Sequence, residues 1–187
     1  MERAGEEDVA GLVVAAGGGD RGAWEALVER YTGLVWGVAR ALGLDAVDAA
    51  DVSQTTWLRL AEHLGRIREP ERVGAWLAVT ARREALRTRQ RSARVVLDSW
   101  CGEGPDDDDE LDTALLRDER DALLWRTFSA LSEPCKALLR VLMTDPPPSY
   151  VEVGEALDMP VGSIGPRRQR CLRALRKQID DAAGVLR

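Results

Sequence analysis

Apolar residues recur along this chain at steps of three and four, the period of helices that bury one face. The clearest series is Trp24, Leu27, Val28, Tyr31, Leu34, Val35 and Val38, which predicts a helix over residues 21–42 that ends near Gly43. Shorter series predict helices over 8–16, 46–64 and 72–91. Between the last two, RIREPE (residues 66–71) reads as a polar loop containing Pro70. Helices are also predicted over 113–131 and 132–143, the second with Ser132 as its cap and Pro134 in its first turn. Pro146, Pro147 and Pro148 forbid helix, and Ser149 can cap the next one. No sustained period-two alternation predicts a strand.

Residues 98–112 break the pattern. They hold Gly102, Gly104, Pro105 and an unbroken acidic run from 106 to 110, so they have little to bury and much to repel. The expected fold class is therefore all-α: two small helical domains joined by a flexible acidic linker. The boundaries drawn are a tail and short helix over 1–19, a first domain over 20–95, the linker over 96–118 and a second domain over 119–183. In a chain of 187 residues each such domain has a thin core, and some stability is expected to come from a partner.

The net charge of −6 argues against a nucleic-acid partner until its distribution is read. Residues 82–94 carry a local +5, residues 167–177 a local +6, and residues 98–121 between them a local −9. Charge segregated this sharply makes the average uninformative. Other chemistry is scarce. Cys101, Cys135 and Cys171 include no CxxC pair, and His63 is the lone histidine. Neither a zinc site nor a disulfide framework is expected; the three cysteines read as free thiols, with no metal and no cofactor. No apolar run approaches the ~20 residues that span a bilayer. The acidic start, MERAGEED, lacks the basic region of a signal peptide, so the cytoplasm is the expected compartment. The six tryptophans sit mostly at core-like helical positions, where burial is the first expectation.

The segment SYVEVGEALDMPVGSIGPRRQRCLRALRKQI, residues 149–179, reads as helix, tight turn and second helix. In the first helix Tyr150, Val153 and Leu157 share a face, and Gly154 lets another helix cross closely. Asp158 and Met159 form the turn and Pro160 opens the second helix. There Ile164, Cys171, Leu172, Leu175 and Ile179 fall in one sector. Arg170, Arg173 and Lys177 lie opposite, with Arg167 and Arg176 on the flanks. An apolar back and an arginine front suit a helix in a major groove. Arg168 falls on the apolar side of this wheel, and Pro166 predicts a kink and a helix that begins late, near Gly165. Upstream, Asp48, Asp51 and Gln54 recur at three-residue steps on one polar side, suited to a basic partner surface. In the next helix Val73, Trp76, Leu77 and Thr80 form an apolar face before the arginines begin; arginines and aromatics together can hold single-stranded DNA.

Taken together, these segments resemble the extracytoplasmic-function (ECF) group of RNA polymerase sigma factors, in the sigma-70 family. WEALVERYTGLVWGVARALG is similar to the family's first conserved region, and DAADVSQTTWLRLAEHL to the element that docks on the clamp of the large polymerase subunit. The resemblance carries that docking to Asp48, Asp51 and Gln54. REPERVGAWLAVTARREALRTRQR resembles the element that captures and melts the minus-ten region, which implicates Arg66, Arg68, Arg72, Trp76, Arg82, Arg83 and Arg87. LSEPCKALLRVLM and the helix-turn-helix resemble the domain that reads the minus-thirty-five element, which implicates Ser149, Ser163, Arg167, Arg168, Gln169, Arg170 and Arg173. Ala50 stands where the family often has Glu and Arg83 where many members have Asn. Gly165 and Pro166 replace a polar pair, which moves base reading to Arg167, Gln169 and Arg170.

The resemblance implies an initiation factor without catalytic chemistry, with core RNA polymerase and promoter DNA as partners and an anti-sigma factor admitted as a third. It places the acidic linker in the RNA-exit path. It implies no small-molecule substrate and no membrane span. The alternatives are a stand-alone helix-turn-helix regulator, which would bind its operator without polymerase, and an interaction protein whose basic helices grip an acidic partner. An enzyme is the weakest reading, since the sequence shows neither a phosphate-binding glycine loop nor a metal cluster, and Glu152 and Glu155 form an ordinary helix-face pair expected to be solvated.

Overall fold

The computed structural model describes residues 8–98 and 119–185. Every regular element among them is helical: α1 (Val9–Gly17), α2 (Arg21–Ala41), α3 (Ala46–His63), α4 (Val73–Asp98), α5 (Glu119–Ser129), α6 (Glu133–Leu142), α7 (Tyr150–Leu157) and α8 (Val161–Val185). The acidic linker and the predicted start of the helix at 113 lie outside the described residues.

The boundaries follow local chemistry. Asp20 accepts a hydrogen bond from the Ala23 amide at 3.0 Å and starts α2; Gly43, at φ 81°, ends its run in the left-handed region. Asp45 accepts from the Asp48 amide at 2.7 Å and starts α3. The loop after α3 is not wholly irregular, because Leu64–Arg66 and Pro70–Arg72 form single 3-10 turns. Helix α4 runs past its predicted end to Asp98. Ser132 occupies the cap position of α6 but makes no side-chain cap bond. Ser149 does better: with Glu152 it forms a reciprocal capping box on α7.

Helices α2, α3 and α4 pack on one another, with α1 laid on α2. Helices α5 to α8 form the second group, and α2 meets α6 while α4 meets α7. A single apolar cluster therefore draws on both groups, from Leu27, Tyr31, Val35, Leu77 and Ala81 to Leu138, Leu139, Val153, Ile164 and Cys171. A smaller one joins Ala39, Leu44, Ala49, Val52 and Ala85. Two close approaches carry the contact between groups. A side chain at Gly37 would lie 2.8 Å from Cγ2 of Thr144, and one at Gly74 would run into the Glu152 carboxylate.

Three expectations need correction. Cys135 and Cys171 are not free thiols but a disulfide, their Cα atoms 5.4 Å apart. The helix-turn-helix brings them together, because α8 crosses α6 where both residues face the core. Second, α8 does not begin late. It starts at Val161 and passes through Pro166, since the ring removes one backbone bond while buried Ile164 and Cys171 hold the helix on either side. Third, the tryptophans are not fully buried: Trp24, Trp57, Trp76 and Trp125 are half-buried and Trp36 is exposed.

The disulfide spans 36 residues. Cross-linking a loop of that length is worth about 3–4 kcal/mol in the chain-entropy account. Adding a phosphine reductant should therefore lower the thermal midpoint of the protein by several degrees in a circular-dichroism melt. The Cys135→Ser variant should melt at the lower midpoint with or without reductant.

Candidate nucleic-acid and polymerase interfaces

The loop after α3 and the first turns of α4 enclose a cavity of about 440 Å³. Its walls include Arg66, Arg68, Arg72, Trp76 and Arg83, five of the seven residues the sequence assigns to the minus-ten contact, together with His63, Glu69, Val79 and Glu155. Trp76 and Arg83 are seven residues apart and so share a face of α4. Trp76 stands at 6.1 Å from the His63 ring, centroid to centroid, and both line the cavity. The Arg72 guanidinium donates to Glu69 at 2.8 Å; Glu69 holds it more firmly protonated, with a smaller contribution from Glu155. The remaining two candidates are engaged elsewhere. Arg82 donates to Asp158 at 2.8 Å, and Arg87 donates to Glu84 at 2.8 Å. Glu84 also pairs with Arg59 of α3 at 3.1 Å, so it ties α3 to α4.

The polymerase-docking candidates lie on α3. Asp51 and Gln54 are exposed and Asp48 is partly covered. Sequence reasoning missed what flanks them. Val47 is 73% exposed and Leu58 is 60% exposed, and with Asp51 and Gln54 they form one stripe at steps of four, three and four. The signal was present in that spacing, but two apolar residues in a helical series pass for core. Burial first, then the neighbouring Asp45 and Asp51 carboxylates, push the Asp48 carboxyl above its ordinary value, against a hydrogen bond with Ser92 that lowers it.

On α8 the predicted arginine front is outward. Arg167, Arg168, Gln169, Arg170 and Arg173 are all exposed, Arg168 included despite its place on the sequence wheel. Among the described residues, none of these arginines makes an ion pair; Arg173 donates only to the Gln169 carbonyl at 3.4 Å. Ser149 and Ser163 serve helix starts. Ser149 completes the capping box, and the Ser163 hydroxyl donates to the Pro160 carbonyl at 2.7 Å. Ile164 and Cys171 form the buried back, but Leu172 is 41% exposed. With Trp36, Leu124, Trp125, Met143 and Leu175 it lines an apolar groove of about 350 Å³ between the two helical groups. Among the described residues there is no cluster of side chains fit to hold a metal ion, and no helix is long and apolar enough to cross a membrane.

Residues 27–95, which contain both the α3 stripe and the arginine-walled cavity, match the Sigma-70 region 2 family. The sequence is 29% identical over 174 residues to the RNA polymerase sigma-H factor of Pseudomonas aeruginosa, covering 88% of each chain. The fold resembles the structure of CnrH in complex with the cytosolic domain of CnrY, with a TM-score of 0.58, 21% identity and coverage of 94% of this chain and 99% of that one. Residues 27–95 thus match a Sigma-70 region 2 domain, and the chain over most of its length is similar to an RNA polymerase sigma factor. These likenesses support a sigma factor that directs transcription initiation, with core RNA polymerase and promoter DNA as partners. The sigma-factor family is not a family of enzymes.

The raised Asp48 carboxyl sets a pH-dependent expectation. Its ionised form is favoured less in the fold than in the unfolded chain, so the native state is weakened as pH rises through the shifted value. Asp48→Asn should stabilise the protein by a few tenths of a kcal/mol at pH 7. In thermal melts that gain should disappear below about pH 4, where the native residue is itself protonated.

Proposed function

We propose that this chain works in the cytoplasm as a dissociable, non-catalytic subunit of RNA polymerase, and that three of its surfaces divide the task. The stripe of Val47, Asp51, Gln54 and Leu58, with Asp48 beside it, docks on polymerase. Two apolar residues would supply contact area and the acids would select a basic face. The cavity between the loop and α4 takes unpaired bases of the minus-ten element. The α8 arginines lie in the major groove at minus-thirty-five, with Arg167, Gln169 and Arg170 toward the base edges. Ser149, Ser163 and Arg168 contact the backbone.

The observation that carries this reading is the cavity itself. Four arginines converge on it with Trp76, which packs one part of its ring system against the main core and lines the cavity with the rest. Arginines there can neutralise phosphates while an unstacked base lies against the Trp76 ring, which offsets the few kcal/mol needed to unpair it. CnrH was solved with the cytosolic domain of CnrY bound. We extend that partnership to this chain: the apolar groove between the helical groups supports docking of an anti-sigma segment that presents an apolar helix face.

In vitro transcription with purified core polymerase and genomic DNA tests the reading. New start sites should appear only when this chain and the core enzyme are both present. Tight operator binding without polymerase, and no new start sites, would instead identify a stand-alone helix-turn-helix regulator. Trp76→Ala should weaken binding of the melted minus-ten strand by about 1–3 kcal/mol, read as the yield of open complexes by permanganate footprinting. Arg170→Ala should cost about 1–3 kcal/mol at a single promoter position if it reads a base, and a similar loss at every sequence would place it on phosphate.

A further inference from the structure

Past Pro166, α8 has a single fully buried side chain among the described residues. The buried positions of this helix are Ile164 and Cys171, at 0% and 1% exposure, and Ile164 precedes the proline. Downstream, Leu172 is exposed and Leu175 is half-buried. The ring of Pro166 removes the backbone bond to the Gly162 carbonyl, which loosens the helix between the two anchors. Arg167, Gln169 and Arg170, the residues placed toward base edges, lie between that weak point and Cys171. The anchor beyond them is therefore a sulfur, and it is bonded to Cys135 in the first turn of α6.

We propose that Cys135 and Cys171 form a reversible thiol–disulfide switch: the bonded pair fixes α8 for reading bases at minus-thirty-five, and the reduced pair releases it. This rests on the function proposed above and concerns the regulation of the α8 surface. Three physical arguments support it. The first is compartment. Thiol buffers keep disulfides rare in the cytoplasm, and those that form there are usually transient, catalytic or redox-sensing. The second is size. Closing a loop of 36 residues stabilises by an amount comparable to all that a core of fewer than about 70 residues supplies. Breaking the bond therefore removes a large fraction of what orders α5 to α8. The third is precision. Base reading needs side chains placed to within about 0.5 Å, whereas attraction to phosphates acts over about 8 Å. Two thiols need van der Waals separation where a bonded pair does not, so reduction in a close-packed interior shifts α8 against α6. The loss falls on discrimination between sequences more than on general attraction to DNA.

The chemistry enters from one side, because Cys135 is half-buried and Cys171 is sealed. In the reduced chain the Cys135 sulfur attacks an oxygen of a hydroperoxide. The O–O bond breaks, the alcohol or water leaves with the thiol proton, and Cys135 becomes a sulfenic acid. Cys171 attacks that sulfur, the S–O bond breaks, and water leaves with the second thiol proton. Two thiols are oxidised and one hydroperoxide is reduced by two electrons. A dithiol reverses the change. Its thiolate attacks the Cys135 sulfur, Cys171 leaves and takes a proton, and the second thiol of the reductant releases Cys135.

The test uses the full chain with core polymerase, on a promoter located by its start site and on the same promoter with its minus-thirty-five element scrambled. One sample of the chain is oxidised with hydrogen peroxide and another is reduced with dithiothreitol. Both are desalted before they meet polymerase, and their counts of free thiols should differ by two. Below the melting midpoint of the reduced chain, the oxidised sample should prefer the intact promoter about tenfold more strongly than the reduced sample does. Reoxidising the reduced sample should restore the preference. C101S should respond as the native chain does, and C135A/C171A should match the reduced chain whatever the treatment. Equal preference in the two native samples would overturn the proposal, since a bridge that only staples the fold changes the melt and not the reading. A loss that reoxidation does not restore would overturn it too, as would a response kept by C135A/C171A or missing from C101S. If C135A/C171A does not fold, the cycle on the native chain decides alone. Start sites with equal preference in both redox forms reject the switch and leave the proposed function standing. The absence of start sites with either form rejects the proposed function, and the switch with it.

Discussion

The packing of α7 across α4 sets where everything else in the molecule can be. Each helical group is small, and neither has the buried area of a domain twice its size. By laying Val153 and Ala156 against the apolar side of α4, and Thr144 against Gly37 of α2, the chain builds one core from two thin ones. The glycines make this possible by letting backbone come within contact distance of the other group. The core so formed is continuous across both groups.

Charge segregation follows the same division. Three arginines of α4 and its preceding loop are paired with carboxylates, Arg72 with Glu69, Arg87 with Glu84 and Arg82 with Asp158, while Arg66, Arg68 and Arg83 are exposed. Those of α8 are exposed and make no ion pair among the described residues. The chain therefore presents two cationic surfaces to solvent, one partly neutralised by carboxylates and one not. On α3 the balance is reversed. Asp48 is held next to two like charges, which weakens the fold slightly and leaves a concentrated acidic face where a basic partner can use it.

Much of this was legible from residue order. Helix ends at Gly43 and Ser149 were readable because a left-handed glycine and a capping box are local devices, written within four residues. The arginine front of α8 was readable because helical spacing alone fixes it. What could not be read depended on residues far apart in the chain. The Cys135–Cys171 bridge needs the crossing of α8 over α6. The pairing of Arg82 with Asp158 spans 76 positions. Pro166 misled for a related reason: a local rule predicts a break, and tertiary contacts at Ile164 and Cys171 override it. Glu155 read as a solvated surface acid and is exposed, but nothing near it in sequence reveals the cavity it lines. The stripe on α3 was half legible, since Asp51 and Gln54 look like a surface while Val47 and Leu58 look like core.

Asp158 has a backbone requirement as well as a charge. At φ 55° it is the non-glycine residue with positive φ among those described, and it ends α7 in the left-handed region. Only Gly, Asn and Asp adopt that conformation routinely. In the genetic code Asn and Gly are each a single nucleotide change from Asp. Either replacement would keep the bend between α7 and α8 and would discard the charge facing Arg82. Natural variation at this one codon could therefore remove or restore one link between the two helical groups in small, reversible steps, without disturbing the turn.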